Sequence, residues 1–272
     1  MSEIPVLWFH EEVCRDVRLA GGKGASLARM TAQELPVPPG FVIPAYILEQ
    51  SVESGRLREL VLAQKHQEAQ ELVRQAEAPR DIIGHYARLG ADKVAVRSSA
   101  CAEDSEAASY AGQQETYLNV SGGEEVCRRV VDCWASFFSE RALFYRSRKG
   151  SLHDLGMAVV VQKMLDPVKS GVIFTVDPVQ RRRDRMIIEA VFGLGEQVVS
   201  GEVTPDHYVV DHKGNIKREQ IVKERVLEPE EIRELVALGT KLAKQFGAPQ
   251  DIEWGIEGGQ IYLLQARPIT TL

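Results

Sequence analysis

Cysteine is scarce in this sequence, and its four residues are scattered: Cys14, Cys101, Cys127 and Cys133 form no C-x-x-C pair. This spacing argues against a disulfide framework and against a zinc site, and it is typical of reduced thiols. The chain also lacks an apolar run long enough to cross a bilayer. Residues 1–5 contain no basic segment followed by an apolar core. We therefore expect no membrane span, no signal peptide and a cytoplasmic location.

Positive charge is not in excess either, because 33 Lys and Arg residues face 39 Asp and Glu residues, for a net charge of -6. That balance argues against a general nucleic-acid or membrane-surface binder. The six histidines are dispersed, and the chain has neither an H-E-x-x-H nor a G-x-S-x-G motif. What is present is an ordinary globular composition, with 44% hydrophobic and 26% charged residues.

The distribution of residue types predicts two subdomains, a mixed α/β part over 1–155 and a strand-rich part over 156–272. Runs rich in β-branched residues predict strands, and helix-forming composition or helical spacing predicts helices. The predicted strands are 41–43, 94–96, 157–162, 171–176, 186–191 and 207–210, and the longer predicted helices are 56–78, 124–148 and 228–246.

The carboxy-terminal stretch carries the most informative pattern. Asp251 and Glu253 are two residues apart, as are Gln265 and Arg267, and the turn-like Ile256–Gly259 lies between the pairs. Residues i and i+2 of a strand share a face, so a hairpin brings the two pairs together. Carboxylate and amide oxygens with an arginine suit a Mg-nucleotide. A surface hairpin with a plain ion pair is the alternative.

A glycine-rich stretch, Gly21–Ser26, presents Lys23 but does not fit the Walker A pattern, because Lys23 is followed by glycine. A lysine near a helix start is suited to a phosphate contact. The alternative is a glycine turn with a solvent-exposed lysine.

Arg97 follows the apolar residues 94–96 and precedes two serines, which suits phosphate binding at a strand end. A structural salt bridge from Arg97 to Glu103 or Asp104 is equally compatible with the sequence.

Three further segments are candidates for ligand contact. The stretch from Ser109 to Thr116 contains Gly112, which permits close backbone approach to a ligand. Gln162, Lys163 and Met164 end an apolar strand and suit an adenine edge and face, although a core methionine is the simpler interpretation of Met164. Glu189 precedes a glycine turn, in which G-x-G alone is a weak signal.

These motifs follow one another in a set order along the whole chain: Gly21–Leu27, Val37–Ile43, Val94–Ala100, Glu103–Asp104, Tyr110–Val120, Val159–Met164, Ser170–Thr175, Glu189–Glu196, Gln250–Trp254 and Leu264–Pro268. The chain thereby resembles the N-terminal ATP-binding domain of phosphoenolpyruvate synthase, pyruvate phosphate dikinase and rifampicin phosphotransferase. The resemblance implies an α/β (α+β) ATP-grasp fold, with two subdomains enclosing a nucleotide cleft.

The resemblance also implies roles for individual residues. Lys23, Arg97 and Arg267 are expected to contact ATP phosphates as the catalytic cations. Glu253 and Gln265 are expected at Mg²⁺, with Asp251 nearby. The segment Gln162–Met164 would line the adenine. Glu189 would lie in the nucleotide cleft, and the loop with Gly112 and Thr116 would close over the phosphates.

For activity, the resemblance implies an ATP-dependent dikinase or phosphotransferase that passes phosphate to a histidine. The family carries that histidine on a separate domain, in a Thr-x-x-Gly-Gly-x-x-x-His-like sequence that this chain lacks. We therefore expect a phosphohistidine-carrying domain or protein as the partner, and an incomplete reaction for the chain alone. A rifampicin-type antibiotic phosphotransferase and a non-catalytic ATP-sensing module are the alternative functions.

Overall fold

The computed structural model describes residues 6–101, 115–195 and 203–270. The chain divides into two compact units. The first contains Met1–Arg29 and Pro39–Met164, and the second contains Met30–Pro38 and Leu165–Leu272. In the part of the chain that is described, no helix combines the length and the hydropathy that a bilayer crossing requires.

The first unit is a five-stranded antiparallel sheet with helices. Its strands are β1 Leu7–Trp8, β2 Gly40–Ile43, β3 Val94–Ala100, β4 Thr116–Val120 and β5 Met157–Lys163, in the order β1-β2-β5-β3-β4. Its helices are α1 Val17–Ala32, α2 Tyr46–Ser51, α3 Ser54–Leu62, α4 His66–Arg74, α5 Asp81–Leu89, α6 Gly123–Ser136 and α7 Glu140–Lys149, with a short 3₁₀ helix at Glu12–Arg15.

The two faces of this sheet have different roles. Valines 94, 96, 159 and 161 point to one face and join a large apolar core with Trp134 of α6 and the residues of α2 to α5. The other face carries Arg97, which lies opposite Thr116 and Val160. Helix α1 packs on this second face, where Gly24 sits against Val42 so closely that a Cβ would lie 2.9 Å from it.

The second unit is a six-stranded antiparallel sheet. Its strands are β6 Lys169–Phe174, β7 Met186–Phe192, β8 Asp206–Val210, β9 Ile216–Gln220, β10 Gln250–Glu257 and β11 Gln260–Pro268, in the order β11-β10-β6-β7-β8-β9. The segment 30–38 belongs here because the Pro36 carbonyl accepts a hydrogen bond from the backbone of Leu263.

One face of the second sheet is covered by the helix α8, Pro229–Phe246, which begins with a capping box formed by Glu228 and Glu231. Gly239 of α8 lies against Ile173 of β6 and Ile252 of β10, so this side of the helix packs on the sheet. Side chains alternate between the two faces of a strand, so the neighbours of Ile252, Asp251 and Glu253, face away from α8.

The mixed α/β class predicted from the sequence is confirmed, and each predicted strand is present. The unit boundary falls after Met164, whereas the sequence suggested 155/156. Strand β5 lies in the middle of the first sheet and hydrogen-bonds to β2 and β3, so it belongs to the first unit. A sequence boundary drawn on composition cannot detect that pairing.

Two long helices predicted from the sequence are each broken in the structure. Helices α3 and α4 replace the prediction over 56–78, and α6 and α7 replace the one over 124–148. The second break is fixed by Ser139, whose hydroxyl accepts a hydrogen bond from the Ala142 N–H and so caps α7. Strand β3 also continues to Ala100, so Arg97 lies inside a strand rather than at its end.

Candidate functional site

Strands β10 and β11 form the hairpin that the sequence predicts. They are joined by Gly258 and Gly259, whose φ angles of 59° and 78° are both positive. A two-residue turn of this kind matches the twist of the flanking strands and strongly favours glycine. Across the hairpin, Asp251 lies opposite Arg267 and Glu253 opposite Gln265.

A β-bulge produces this pairing. From the turn, the ladder runs regularly through Trp254 opposite Leu263, and then the register shifts so that Glu253 pairs with Gln265. Leu264 is the extra residue. If the ladder continued past Leu263 without this bulge, Glu253 would lie opposite Leu264, and Gln265 would fall on the buried face, because a one-residue slip exchanges the faces of a strand.

Asp251 and Arg267 form an ion pair in this hairpin. The Nε of Arg267 donates to Oδ2 of Asp251 at 2.8 Å. The Arg267 side chain is 56% exposed and that of Asp251 only 11%, so the carboxylate is fixed in the sheet while the guanidinium extends from it. Burial raises the pKa of Asp251 above its ordinary value, and the neighbouring Arg267 opposes that rise. The plain ion pair considered from the sequence is therefore present.

Gln265, Glu253 and Glu189 lie in one row, that is, in a line of directly opposed residues that crosses the sheet from strand to strand. Glu253 lies opposite Val172 of β6, and Val172 lies opposite Glu189 of β7. Neighbouring strands are about 4.8 Å apart, so Glu189 stands roughly 10 Å from Glu253 along the same face. The next residue in this row is His207 of β8.

The donor set of Glu253 and Gln265 fits Mg²⁺ in its usual nucleotide-bound form. Among residues 6–101, 115–195 and 203–270, no group of three or more His, Cys, Asp and Glu side chains is arranged to hold a metal ion by itself. Mg²⁺ commonly takes only one or two carboxylates from the protein and completes its shell with substrate phosphates and water. One carboxylate and one amide oxygen on the same face match that pattern.

In the first unit, a bend in α1 positions Lys23. Gly21 has φ 67° and ψ 173°, so the helix is interrupted there and a second helical segment begins just before Lys23. A Cβ on Gly21 would lie 2.1 Å from the Ser99 carbonyl oxygen, so only glycine fits. The Lys23 ammonium donates to the Ser98 carbonyl at 3.0 Å. The side chain is half-buried and is not the solvent-exposed lysine of the alternative interpretation.

Ser99 holds the bend of α1 against β3. Its hydroxyl donates to the Ala20 carbonyl at 2.8 Å and accepts from the Gly24 N–H at 3.1 Å. This contact bridges residues more than 70 positions apart, and it fixes Lys23 close to the strand that carries Arg97. No pattern in the sequence predicted this role for Ser99.

Arg97 is buried, with 8% of its surface exposed, in the middle of β3. Thr116 is exposed and lies directly opposite Arg97 as the first residue of β4. Lys23 and Arg97 are thus presented on one side of the first sheet. Gly112, Glu103 and Asp104 lie outside the described residues, so the loop contact and the competing salt bridges of Arg97 stay predictions.

Gln162, Lys163 and Met164 end β5. Gln162 is buried, Lys163 is exposed and Met164 is half-buried. The N–H of Lys163 donates to the Pro39 carbonyl at 2.9 Å, and the N–H of Met164 donates to the Lys93 carbonyl at 3.0 Å. These two N–H groups are already hydrogen-bonded to backbone carbonyls, so an adenine edge would have to contact other groups of this segment.

Comparison with known proteins relates the chain to nucleotide-dependent enzymes. The family model described as pyruvate phosphate dikinase, AMP/ATP-binding domain, matches residues 17–226 and 213–272. A probable phosphoenolpyruvate synthase of Archaeoglobus fulgidus is 43% identical over 99% of this chain and 42% of its own length. A rifampicin phosphotransferase of a Streptomyces species is 40% identical over 93% of this chain and 34% of its own length.

Among solved structures, the chain is similar to PH1788 from Pyrococcus horikoshii, with 17% identity, a TM-score of 0.45, and coverage of 96% of this chain and 97% of that one. That likeness is distant, and the assignment rests on the sequence comparisons. The chain spans less than half the length of the curated relatives that it matches. The family model extends over almost the whole chain, and the chain therefore belongs to the family of pyruvate phosphate dikinase AMP/ATP-binding domains.

Proposed function

We propose that this chain binds ATP with Mg²⁺ and supplies the phosphoryl group in a phosphoenolpyruvate synthase-like phosphotransferase. The observation that carries the proposal is the pairing across the β10–β11 hairpin. Asp251 with Arg267 and Glu253 with Gln265 place two carboxylates, an amide and a guanidinium on one face. A plain surface ion pair would account for Asp251 and Arg267, but it would not account for the second pair beside them.

The three cations of the proposal act on the phosphates. Catalysis of phosphoryl transfer depends on positioning and on stabilising charge as it develops. Lys23, Arg97 and Arg267 would supply the positive charge. Asp251 accepts a hydrogen bond from the Nε of Arg267, whose side chain is 56% exposed, so this guanidinium is accessible to a phosphate.

Glu253 and Gln265 would hold Mg²⁺, which when bound offsets the negative charge of the phosphates. Gln162, Lys163 and Met164 would contact the adenine, and Glu189 the nucleoside part. Gly112 belongs to the loop proposed to cover the phosphates, and Thr116 would contact them from the start of β4. The four cysteines are free thiols in this structure, which suits a reducing, cytoplasmic location.

The acceptor in this proposal is a histidine outside this chain, on a separate domain or partner protein. The curated relatives are more than twice as long as the segment that they share with this chain, which leaves room for an acceptor domain in them. An antibiotic phosphotransferase is the second candidate, favoured by the 40% identity to the rifampicin enzyme.

The test has two steps. Calorimetry first measures binding of ATP to the purified chain with and without Mg²⁺. The chain is then mixed with labelled ATP and the part of the Archaeoglobus fulgidus relative that lies beyond the matched segment. Acid-labile, alkali-stable phosphate on that fragment supports the proposal. ATP binding without transfer to this fragment or to the equivalent rifampicin phosphotransferase fragment contradicts the catalytic function.

A further inference from the structure

His207 occupies a place in the sheet that the proposed function does not use. It lies opposite Glu189 across the β7–β8 ladder. The row that contains both residues continues through Val172 to Glu253 and Gln265. All of these side chains point away from the face that α8 covers, because residues directly opposite each other in a sheet share a face. His207 therefore faces the same side as the proposed magnesium pair.

The contact between His207 and Glu189 is direct. Nδ1 of His207 lies 3.6 Å from Oε1 of Glu189, which is within ion-pair range and slightly longer than a hydrogen bond. Their side chains are 38% and 30% exposed, so both can reach a ligand on this face. A small rotation of either side chain would bring Nδ1 and the carboxylate into hydrogen-bond distance.

The backbone under His207 is fixed from the other face of the sheet. The preceding residue, Asp206, is buried and accepts hydrogen bonds from the N–H groups of Val222 and Val226 and from the Tyr208 hydroxyl. These three bonds anchor the start of β8. A side chain on a rigid strand can orient its neighbour more accurately than one on a loop.

We propose that His207 is a positioning residue that orients the Glu189 carboxylate for contact with the nucleoside part of ATP. This inference rests on the proposed function, because it takes the face with Glu253 and Gln265 to be the nucleotide face. Glu189 stands roughly two strand spacings from Glu253. An ATP molecule whose phosphates lie over β10 and β11 can extend that far. A carboxylate held there suits the hydroxyl donors of a ribose.

The experiment compares ATP dissociation constants measured by calorimetry in His207→Ala, His207→Asn and Glu189→Gln. Loss of the polar partner that orients a carboxylate with 30% of its side chain exposed predicts about a three- to tenfold larger dissociation constant for His207→Ala. His207→Asn should restore most of the affinity, because its amide nitrogen can occupy the position of Nδ1. In the Glu189→Gln background, His207→Ala should cause less than about a twofold further loss, since coupled residues are not additive.

A matched control is His153→Ala, an exposed histidine of the first unit. It should bind ATP like the wild type, and thermal unfolding of all variants should show that β8 remains folded. Unchanged affinity in His207→Ala overturns this inference alone, as do additive losses in the double variant or failure of His207→Asn to restore binding. Absence of ATP binding in the wild type overturns the proposed function, and this inference with it.

Discussion

The Nε of Arg267 donates a hydrogen bond to Oδ2 of Asp251 at 2.8 Å. The two residues lie directly opposite each other on β10 and β11. The carboxylate is almost fully buried and the guanidinium is more than half exposed. This arrangement orients the arginine and leaves more than half of its side chain exposed, as the proposed phosphate contact would require.

The first prediction concerns transfer of the phosphoryl group to the acceptor histidine. Arg267→Ala should retain most ATP binding and lower the rate of phosphohistidine formation by at least about a hundredfold, because a cation that stabilises developing charge is lost. The measurement is the initial rate of label transfer to the acceptor fragment. Arg182→Ala is the matched control, since Arg182 also pairs with an aspartate, Asp184, in an exposed turn. Unchanged transfer in Arg267→Ala would contradict the assignment.

The second prediction concerns pH. The pKa of Asp251 is raised in the folded state, so between the unfolded and folded pKa values the folded chain binds more protons. Its contribution to stability is therefore fully present below the unfolded pKa and is lost as pH rises through the folded pKa. Relative to Asp251→Asn, the wild type should lose free energy of unfolding over that window, as measured by urea denaturation at a series of pH values.

Asp184 provides a control of opposite sign for that experiment. Arg182 lowers the pKa of Asp184 to about 2. Its contribution is present above the unfolded pKa and is lost as pH falls through the folded pKa. Asp184→Asn should therefore change the pH profile in the opposite direction to Asp251→Asn. Profiles of the same sign for both variants would show that Asp251 does not titrate as the structure indicates.

The third prediction uses the bulge at Leu264. Deletion of Leu264 should give a regular ladder in which Glu253 still faces Gln265 and Asp251 still faces Arg267, so ATP binding should persist. Deletion of Ala266 should move Arg267 to the buried face, because a one-residue slip reverses the side-chain direction. The measurements are ATP affinity and the free energy of unfolding. Equal effects of the two deletions would contradict the register described for this hairpin.

The fourth prediction concerns Gly21. Gly21→Ala should destabilise the chain by about 2–4 kcal/mol and weaken ATP binding, because it combines left-handed backbone strain with a steric clash at Ser99. Gly90→Ala is the matched control. Gly90 also has a positive φ, 65°, but its ψ of 30° lies in the ordinary left-handed region and its missing Cβ would meet open space, so only a strain of about 1–2 kcal/mol applies. Denaturant unfolding and calorimetry measure the two effects, and equal destabilisation would argue against the clash.

The fifth prediction concerns the anchor of β8. Asp206→Ala should cost about 3–5 kcal/mol, because it leaves the buried donors of Val226 and Tyr208 and the partly buried N–H of Val222 without their shared acceptor. Asp184→Ala, in an exposed turn, should cost far less than Asp206→Ala, because exposed ion pairs contribute little to stability. Urea denaturation gives both values. A loss at Asp206 no larger than at Asp184 would show that the three hydrogen bonds do not hold β8.

Local regularities made much of the second unit predictable. Alternation along 251–253 and 265–267 identified the pairs, and consecutive glycines identified the turn, because strand period and turn geometry are properties of short segments. The helical breaks near 63–65 and 137–139 escaped prediction. Helical composition continues through both breaks, and at the second a single capping hydroxyl, that of Ser139, fixes the start of the new helix.

The sequence by itself determined the family, the residue types of the candidate site and the hairpin that carries four of them. Tertiary structure decided the rest. The bulge at Leu264 set which residues face each other, since register depends on the whole ladder and not on residue types. Pairing between β7 and β8 brought His207 to Glu189, and contacts across more than 70 residues brought Lys23 to Ser98. These contacts join segments far apart in the chain, and only the packing of the complete sheets brings them together.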